Sequence, residues 1–202
     1  MEKVNLYSVD VYTSVLTGID NSLLTKQILD NFEEKNYNKD MMADQLHYGS
    51  IEDCALDLTP EVIKLSNVMW AAAKKYIENE YAEKEYSMVL DIRPEAYAIW
   101  GHVIKPNEQT IYHSHHGKNN INYLNLSAVY YTKFPENSGD LVFNPFTHKN
   151  MWPKKIKPEE GMVVVFPSWL HHYTLKNMSN ENRVSISANL IVTEKDNEHI
   201  LR

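Results

Sequence analysis

Leu126-Ser127-Ala128-Val129-Tyr130-Tyr131-Thr132-Lys133-Phe134-Pro135-Glu136-Asn137-Ser138-Gly139-Asp140-Leu141-Val142-Phe143 is the stretch whose reading decides the fold. Its ends are β-branched and aromatic, and its middle, Pro135 to Asp140, is a run of turn-forming residues. That pattern is strand, turn, strand. The same grammar extends outward over Ala96–Ile104, Gln109–His113, Leu126–Lys133, Leu141–Asn144, Met162–Phe166, His172–Lys176 and Val184–Val192. Short strands punctuated in this way predict an antiparallel sandwich or jelly roll over residues 95–195.

Upstream the reading changes. After a short strand around Asn5–Tyr12, the first 90 residues read mostly helical. Asp20 or Asn21 can cap a helix in which Leu24, Ile28 and Phe32 recur at helical spacing. Thr59 at the cap and Pro60 at the first helical position start a second one, with Val62, Ile63, Val68, Met69, Ala72 and Tyr76 on a broad face and an end near Tyr81. No Pro/Gly-rich linker falls near residue 90. The expectation is a single domain over 1–202, with 1–90 a helical elaboration packed on one sheet of the roll.

The chain has 202 residues, 43% hydrophobic and 23% charged, which is enough for a sizeable core. A net charge of -7, with no basic cluster longer than Lys154-Lys155, disfavours nucleic acid and anionic membranes as partners. The lone cysteine, Cys54, has no internal partner for a disulfide. There is no signal pattern and no long apolar run, so a soluble, cytoplasmic protein is expected. No G-x-G-x-x-G or P-loop is present. A homodimer is left open.

The chemistry concentrates in three places: Tyr112-His113-Ser114-His115-His116, Phe166-Pro167-Ser168-Trp169-Leu170-His171-His172, and Arg183-Val184-Ser185. An H-x-H step on an extended strand puts both imidazoles on one face, because successive side chains alternate. A histidine returning from a distant strand can complete a metal site. Capture by three ligands on one side leaves positions open, as non-heme iron chemistry requires.

Taken together and in order, these blocks resemble the 2-oxoglutarate- and Fe(II)-dependent oxygenases. That superfamily has the double-stranded β-helix (jelly roll, cupin-like) fold, and the likeness is to the branch near the prolyl hydroxylases, in particular to a family of oxygenases from marine bacteria and phages. The matching blocks are His113-x-His115, Leu126–Tyr131, Pro135–Phe143, Phe166–His172 and Arg183–Asn189. They cover residues 113–189; nothing in residues 1–90 matches.

The resemblance implies Fe(II), 2-oxoglutarate as cosubstrate, O2, and a peptidyl (in particular prolyl) or small-molecule substrate that is hydroxylated. It makes His113 the first metal ligand and His172 the distal one. Arg183 becomes the residue that grips the far carboxylate of 2-oxoglutarate, for which a planar guanidinium is suited. Ser185 and Tyr131 would add hydroxyls to the same carboxylate, although Tyr131 reads equally well as a core aromatic. His102 and Asn189 fall on inward positions near the cosubstrate. Trp100 and Trp169 could line the pocket or belong to the core, and His116 and His171 should face away from the site.

One departure stands out. Where the superfamily carries Asp or Glu, this chain has His115. Either His115 is a third ligand, or an acid such as Asp140 completes the site, or two histidines leave a position open. The first is favoured, since imidazole is a good iron ligand and the family it resembles also carries H-x-H. Two further functions compete with the oxygenase: a cupin-like three-histidine dioxygenase or isomerase without 2-oxoglutarate, and a non-catalytic metal-binding module. Three histidines without an acid suit the cupin-like enzyme, but nothing in that class requires Arg183-x-Ser185.

Overall fold

A computed structural model describes residues 9–34, 56–80, 86–90, 99–115, 124–144 and 153–194. In chain order the elements are β1 (Tyr12–Val15), α1 (Asn21–Glu34), α2 (Pro60–Glu80), β2 (Tyr86–Leu90), β3 (Ile99–Ile104), β4 (Leu124–Lys133), β5 (Leu141–Phe143), β6 (Lys154–Ile156), β7 (Met162–Pro167), β8 (His172–Thr174) and β9 (Arg183–Glu194).

The strands form two antiparallel sheets. In the larger, the order is β1-β7-β4-β9. The far edge of the long strand β9 is shared by β2, opposite Leu190–Glu194, and β3, opposite Arg183–Ala188. The smaller sheet runs β6-β5-β8. The two face each other across Tyr131, Leu141, Phe143, Val164, Phe166 and Leu170, with the rings of Phe143 and Phe166 5.0 Å apart. This is the expected jelly roll.

Strand alternation decides what each face does. Leu126, Ala128 and Tyr130 of β4, Val163 and Val165 of β7, and Val184, Ile186, Ala188, Leu190 and Val192 of β9 turn outward to a second core beneath the helices. The helices meet them with Leu24 and Ile28 of α1 and Val62, Leu65, Met69, Ala73, Tyr76 and Ile77 of α2. Each Val, Leu, Ile or Met among them contributes about 1.5–3 kcal/mol when fully buried. Gly101 permits the close seating of α1 on β3, because a Cβ there would lie 3.0 Å from Ile28. The caps are as read: the Leu23 N–H donates to Asp20 Oδ1 at 2.9 Å, and the Val62 N–H to Thr59 Oγ1 at 3.4 Å.

Several expectations are corrected. Gln109–His113 is not a strand; within it only His113 bridges, antiparallel to His172. Thr110 gives its N–H to the Thr174 side chain instead of a ladder carbonyl, which explains the loss of a β-register there. The first strand lies at Tyr12–Val15, whereas residues 5–8 are outside the described set. Tyr86–Leu90 is a strand inside the stretch read as helical, and Lys154–Ile156 is a strand with no apolar run to announce it. Ile63 was placed on the buried face of α2 but is 47% exposed, and Leu65 takes that place.

Candidate active site

The inner face of the larger sheet carries polar side chains where a plain sandwich would have aliphatic ones. Register sets them in rows. His102 of β3, Ser185 of β9 and Tyr131 of β4 lie side by side, as do Trp100, Ser187 and Val129. Arg183 follows Ser185 on the same face. Across from them, the smaller sheet offers His172 and Thr174, and the segment before it in space offers Thr110, His113 and His115. Together with Leu141 and Phe166 these residues line a cavity of about 510 Å³, counting the part that opens to solvent.

Within the cavity the ligand atoms of His113, His115 and His172 all lie within 4.8 Å of one another, and among the described residues no carboxylate joins them. His113 and His172 are fastened by paired backbone bonds, N to O, of 3.0 and 2.9 Å. Their rings are oriented alike. His113 Nδ1 is 2.7 Å from the Ile111 carbonyl, and His172 Nδ1 is 2.9 Å from the Leu170 carbonyl. A carbonyl only accepts, so each Nδ1 carries the proton and each Nε2 keeps its lone pair for a metal. The His115 ring stacks parallel to His172, 4° between planes and 5.2 Å between centroids.

Electrostatics disfavours protonation of two of the three histidines. Burial, reinforced by His113 and His102, pushes the His115 pKa down to about 3. Burial and the other two histidines hold His172 well below its ordinary value. Two imidazoles that resist protonation, with His113 beside them, are a donor set suited to a divalent ion of the Fe(II) type.

Arg183 is the second notable group. It is 3% exposed, its Nη1 donates to the Gly139 carbonyl at 3.0 Å, and its guanidinium carbon lies 5.8 Å from the centre of the Tyr131 ring. Its Nε is buried and has no hydrogen-bond partner among the described residues. A buried cationic donor left unmatched is costly, and a carboxylate in the cavity would satisfy it. Burial raises the Tyr131 pKa to about 12, against the pull of Arg183, so its hydroxyl keeps its proton.

The structure therefore brings together His113, His115, His172, His102, Tyr131, Arg183 and Ser185. Asn189 is not among the lining residues; its Oδ1 accepts the hydroxyl of Ser127, which does line the cavity, at 3.0 Å. Asp140 stands in the turn before β5, outside the histidine cluster, and its carbonyl accepts the Leu175 N–H. His171 is not among the cavity-lining residues and stacks on Tyr112 at 4.9 Å; His116 lies outside the described residues. Trp100 does border the site, 5.8 Å from the His115 ring, but Trp169 is 43% exposed and belongs to neither core nor pocket. Thr110, Thr174 and Ser187 were missed. The alternation Arg183-x-Ser185-x-Ser187 could have found Ser187, but nothing local marks the two threonines.

Two facing antiparallel sheets with a histidine cluster in the cavity between them are a double-stranded β-helix with a candidate metal site. Residues 98–189 match the family described as "Putative 2OG-Fe(II) oxygenase". Over that segment, a little under half of the chain, the protein is similar to the 2-oxoglutarate- and Fe(II)-dependent oxygenases, a class of oxidoreductases that uses both Fe(II) and 2-oxoglutarate. Similar solved structures include a prolyl-4-hydroxylase from Pseudomonas putida (13% identity, 92% of each chain, TM-score 0.58). Another is a Trichoplax adhaerens prolyl hydroxylase in complex with a hypoxia inducible factor peptide fragment (13% identity, 96% of this chain and 87% of that one, TM-score 0.54). A third is the α-ketoglutarate-dependent carbocyclase SnoK from nogalamycin biosynthesis (14% identity, 95% and 85%, TM-score 0.58). At such identities the likeness is one of fold. No curated protein matches the sequence. No helix among the described residues is long and apolar enough to cross a membrane.

Proposed function

We propose that the protein hydroxylates a C–H bond of a peptidyl, in particular prolyl, or small-molecule substrate, using 2-oxoglutarate and O2 at a single Fe(II). His113, His115 and His172 are the metal ligands in this reading, and Arg183, helped by Ser185, Tyr131 and His102, holds the far carboxylate of 2-oxoglutarate. The observation that carries it is the buried Arg183 with its unmatched Nε in the same cavity as the cluster of three imidazoles. When bound, the metal supplies the redox chemistry by which O2 is split between succinate and the hydroxylated product as CO2 is lost.

The chain's own part is binding and orientation. Nδ1 protonation presents Nε2 of His113 and His172 inward. The Gly139 carbonyl steers one arm of the guanidinium and leaves the rest of the fork for the ligand. Leu141, Phe166 and Ile104 make an apolar wall that excludes water, which strengthens each charged contact. The likeness in fold to prolyl hydroxylases supports a peptidyl substrate, and the net charge of -7 argues against nucleic acid. Residues 95–195 act as the catalytic roll and residues 1–90 as its helical elaboration.

The test is an anaerobic titration of Fe(II)-loaded protein with 2-oxoglutarate. The expected result is a weak visible charge-transfer band that saturates at one equivalent. Metal uptake without any such band would refute cosubstrate use. A three-histidine dioxygenase or isomerase would then be the better reading, since the donor set lacks the usual acid.

A further inference from the structure

His115 differs from the other two histidines in how it is held. His113 and His172 belong to a backbone bridge, whereas the His115 N–H donates at 2.8 Å to the carbonyl of Ser168, in the turn between β7 and β8. Ser168 is itself pinned in two further places. Its N–H donates to the Asn125 carbonyl at 2.9 Å, and its Oγ is 2.8 Å from Ser127 Oγ. Ser127 Oγ donates onward to Asn189 Oδ1 at 3.0 Å. Since the Ser127 proton is committed to Asn189, the Ser168 hydroxyl is the donor to Ser127. The chain of donors runs Ser168 to Ser127 to Asn189.

Both hydroxyls are almost wholly buried, Ser168 at 1% and Ser127 at 2% exposed. Buried hydroxyls are unfavourable unless bonded, and here each is bonded in sequence. The inner neighbours on β4 and β7, Val129 and Phe166, are apolar, whereas the β9 neighbour of Asn189 is Ser187. It joins the middle of β4 and β9 to one point, the peptide that receives His115.

We propose that Ser168, Ser127 and Asn189 form a positioning relay that sets His115 in place and thereby tunes the metal affinity of the site. The proposal rests on His115 being a metal ligand. It also gives Asn189 a different task from cosubstrate contact: it anchors the far end of the relay. None of the three touches the metal; they act through the backbone of His115.

The test is equilibrium Mn(II) binding to the full chain, followed by electron paramagnetic resonance of free Mn(II). Ser168→Ala and Asn189→Leu, which both lie off the cavity lining, should each raise the Mn(II) dissociation constant about tenfold, the lower end of what outer-shell changes cost a metal site. At saturating Mn(II), 2-oxoglutarate affinity should stay as in the parent. In a His115→Ala background the same two substitutions should have no further effect on Mn(II). If they weaken Mn(II) equally with and without His115, they loosen the fold at large and the relay is refuted. If His115→Ala abolishes binding while both relay variants bind as the parent, the relay falls and the three-histidine reading stands. If His115→Ala itself binds normally, that reading fails and takes the relay with it. Ser168→Ala removes one oxygen from a turn and keeps the packing, so it is the variant that decides should Asn189→Leu fail to fold.

Discussion

Replacing Arg183 by alanine tests the cosubstrate site most directly. The side chain is 3% exposed, with Nη1 on the Gly139 carbonyl at 3.0 Å, a longer contact to the Ser138 carbonyl at 3.5 Å, and Nε unmatched. In the native protein the free part of the fork can grip a carboxylate in a partly dry cavity. Hydrogen bonds to charged groups are worth about 1.5–3 kcal/mol, so its removal should raise the 2-oxoglutarate dissociation constant roughly tenfold to a hundredfold. Mn(II) or Fe(II) uptake should be preserved, because Arg183 is outside the histidine cluster. The assay is the anaerobic titration of the charge-transfer band, with the melting temperature recorded for each variant. Arg183→Lys separates charge from geometry: it retains a cation but has neither Nε nor the planar fork, and should recover only part of the loss. Unchanged 2-oxoglutarate affinity in folded Arg183→Ala would refute the clamp.

Three further outcomes are expected. Alanine at His113 or His172 should abolish stoichiometric Mn(II) binding by calorimetry, and at His115 should weaken it severely; undiminished affinity in His115→Ala would mean a two-histidine site. Because His115 and His172 have folded pKa values below the ordinary 6.5, the unfolded chain binds protons that the folded one does not. The metal-free protein should therefore be fully stabilised above about pH 6.5 and lose about 1.4 kcal/mol per histidine for each unit of acidification below it, in the His115 case down to about 3. Denaturant titrations at stepped pH check this, and a His115→Ala protein with the same slope as the parent would contradict it. Gly139→Ala should destabilise by at least 1–3 kcal/mol, roughly the cost of a residue forced into sparsely populated backbone space: Gly139 has φ of +93°, and a Cβ would sit 2.1 Å from the Leu175 carbonyl oxygen. A thermal melt equal to the parent's would show that the turn can reorganise.

The strands legible in the sequence are those with strong local signals. Leu126–Lys133 and Val184–Val192 are long β-branched and aromatic runs and appear as β4 and β9, at the centre of the larger sheet. Lys154–Ile156 has no apolar alternation and exists as a strand only because β5 offers it a ladder. Tyr86–Leu90 likewise takes its form from the free edge of β9. Both were decided by a partner far away in the chain, which no local window contains. Gln109–His113 errs in the other direction: its residues favour a strand, but Thr110 finds Thr174 across the site and the ladder is not made.

The sequence by itself determined which residue types could carry the chemistry and in what order. The H-x-H step, the returning His172 and the alternation from Arg183 to Asn189 are local facts, set by the two-residue period of an extended chain. Tertiary structure decided the rest. Register across β3, β9 and β4 put His102, Ser185 and Tyr131 in one row. The bridge to His172 faced the histidines toward one another, and the Ser168 turn received His115. Asn189 shows the division most clearly: alternation along β9 turned it inward, but only the neighbouring strand could supply the Ser127 hydroxyl that it accepts. A residue's face follows from its position along its own strand, whereas its partner depends on chain folded back from elsewhere.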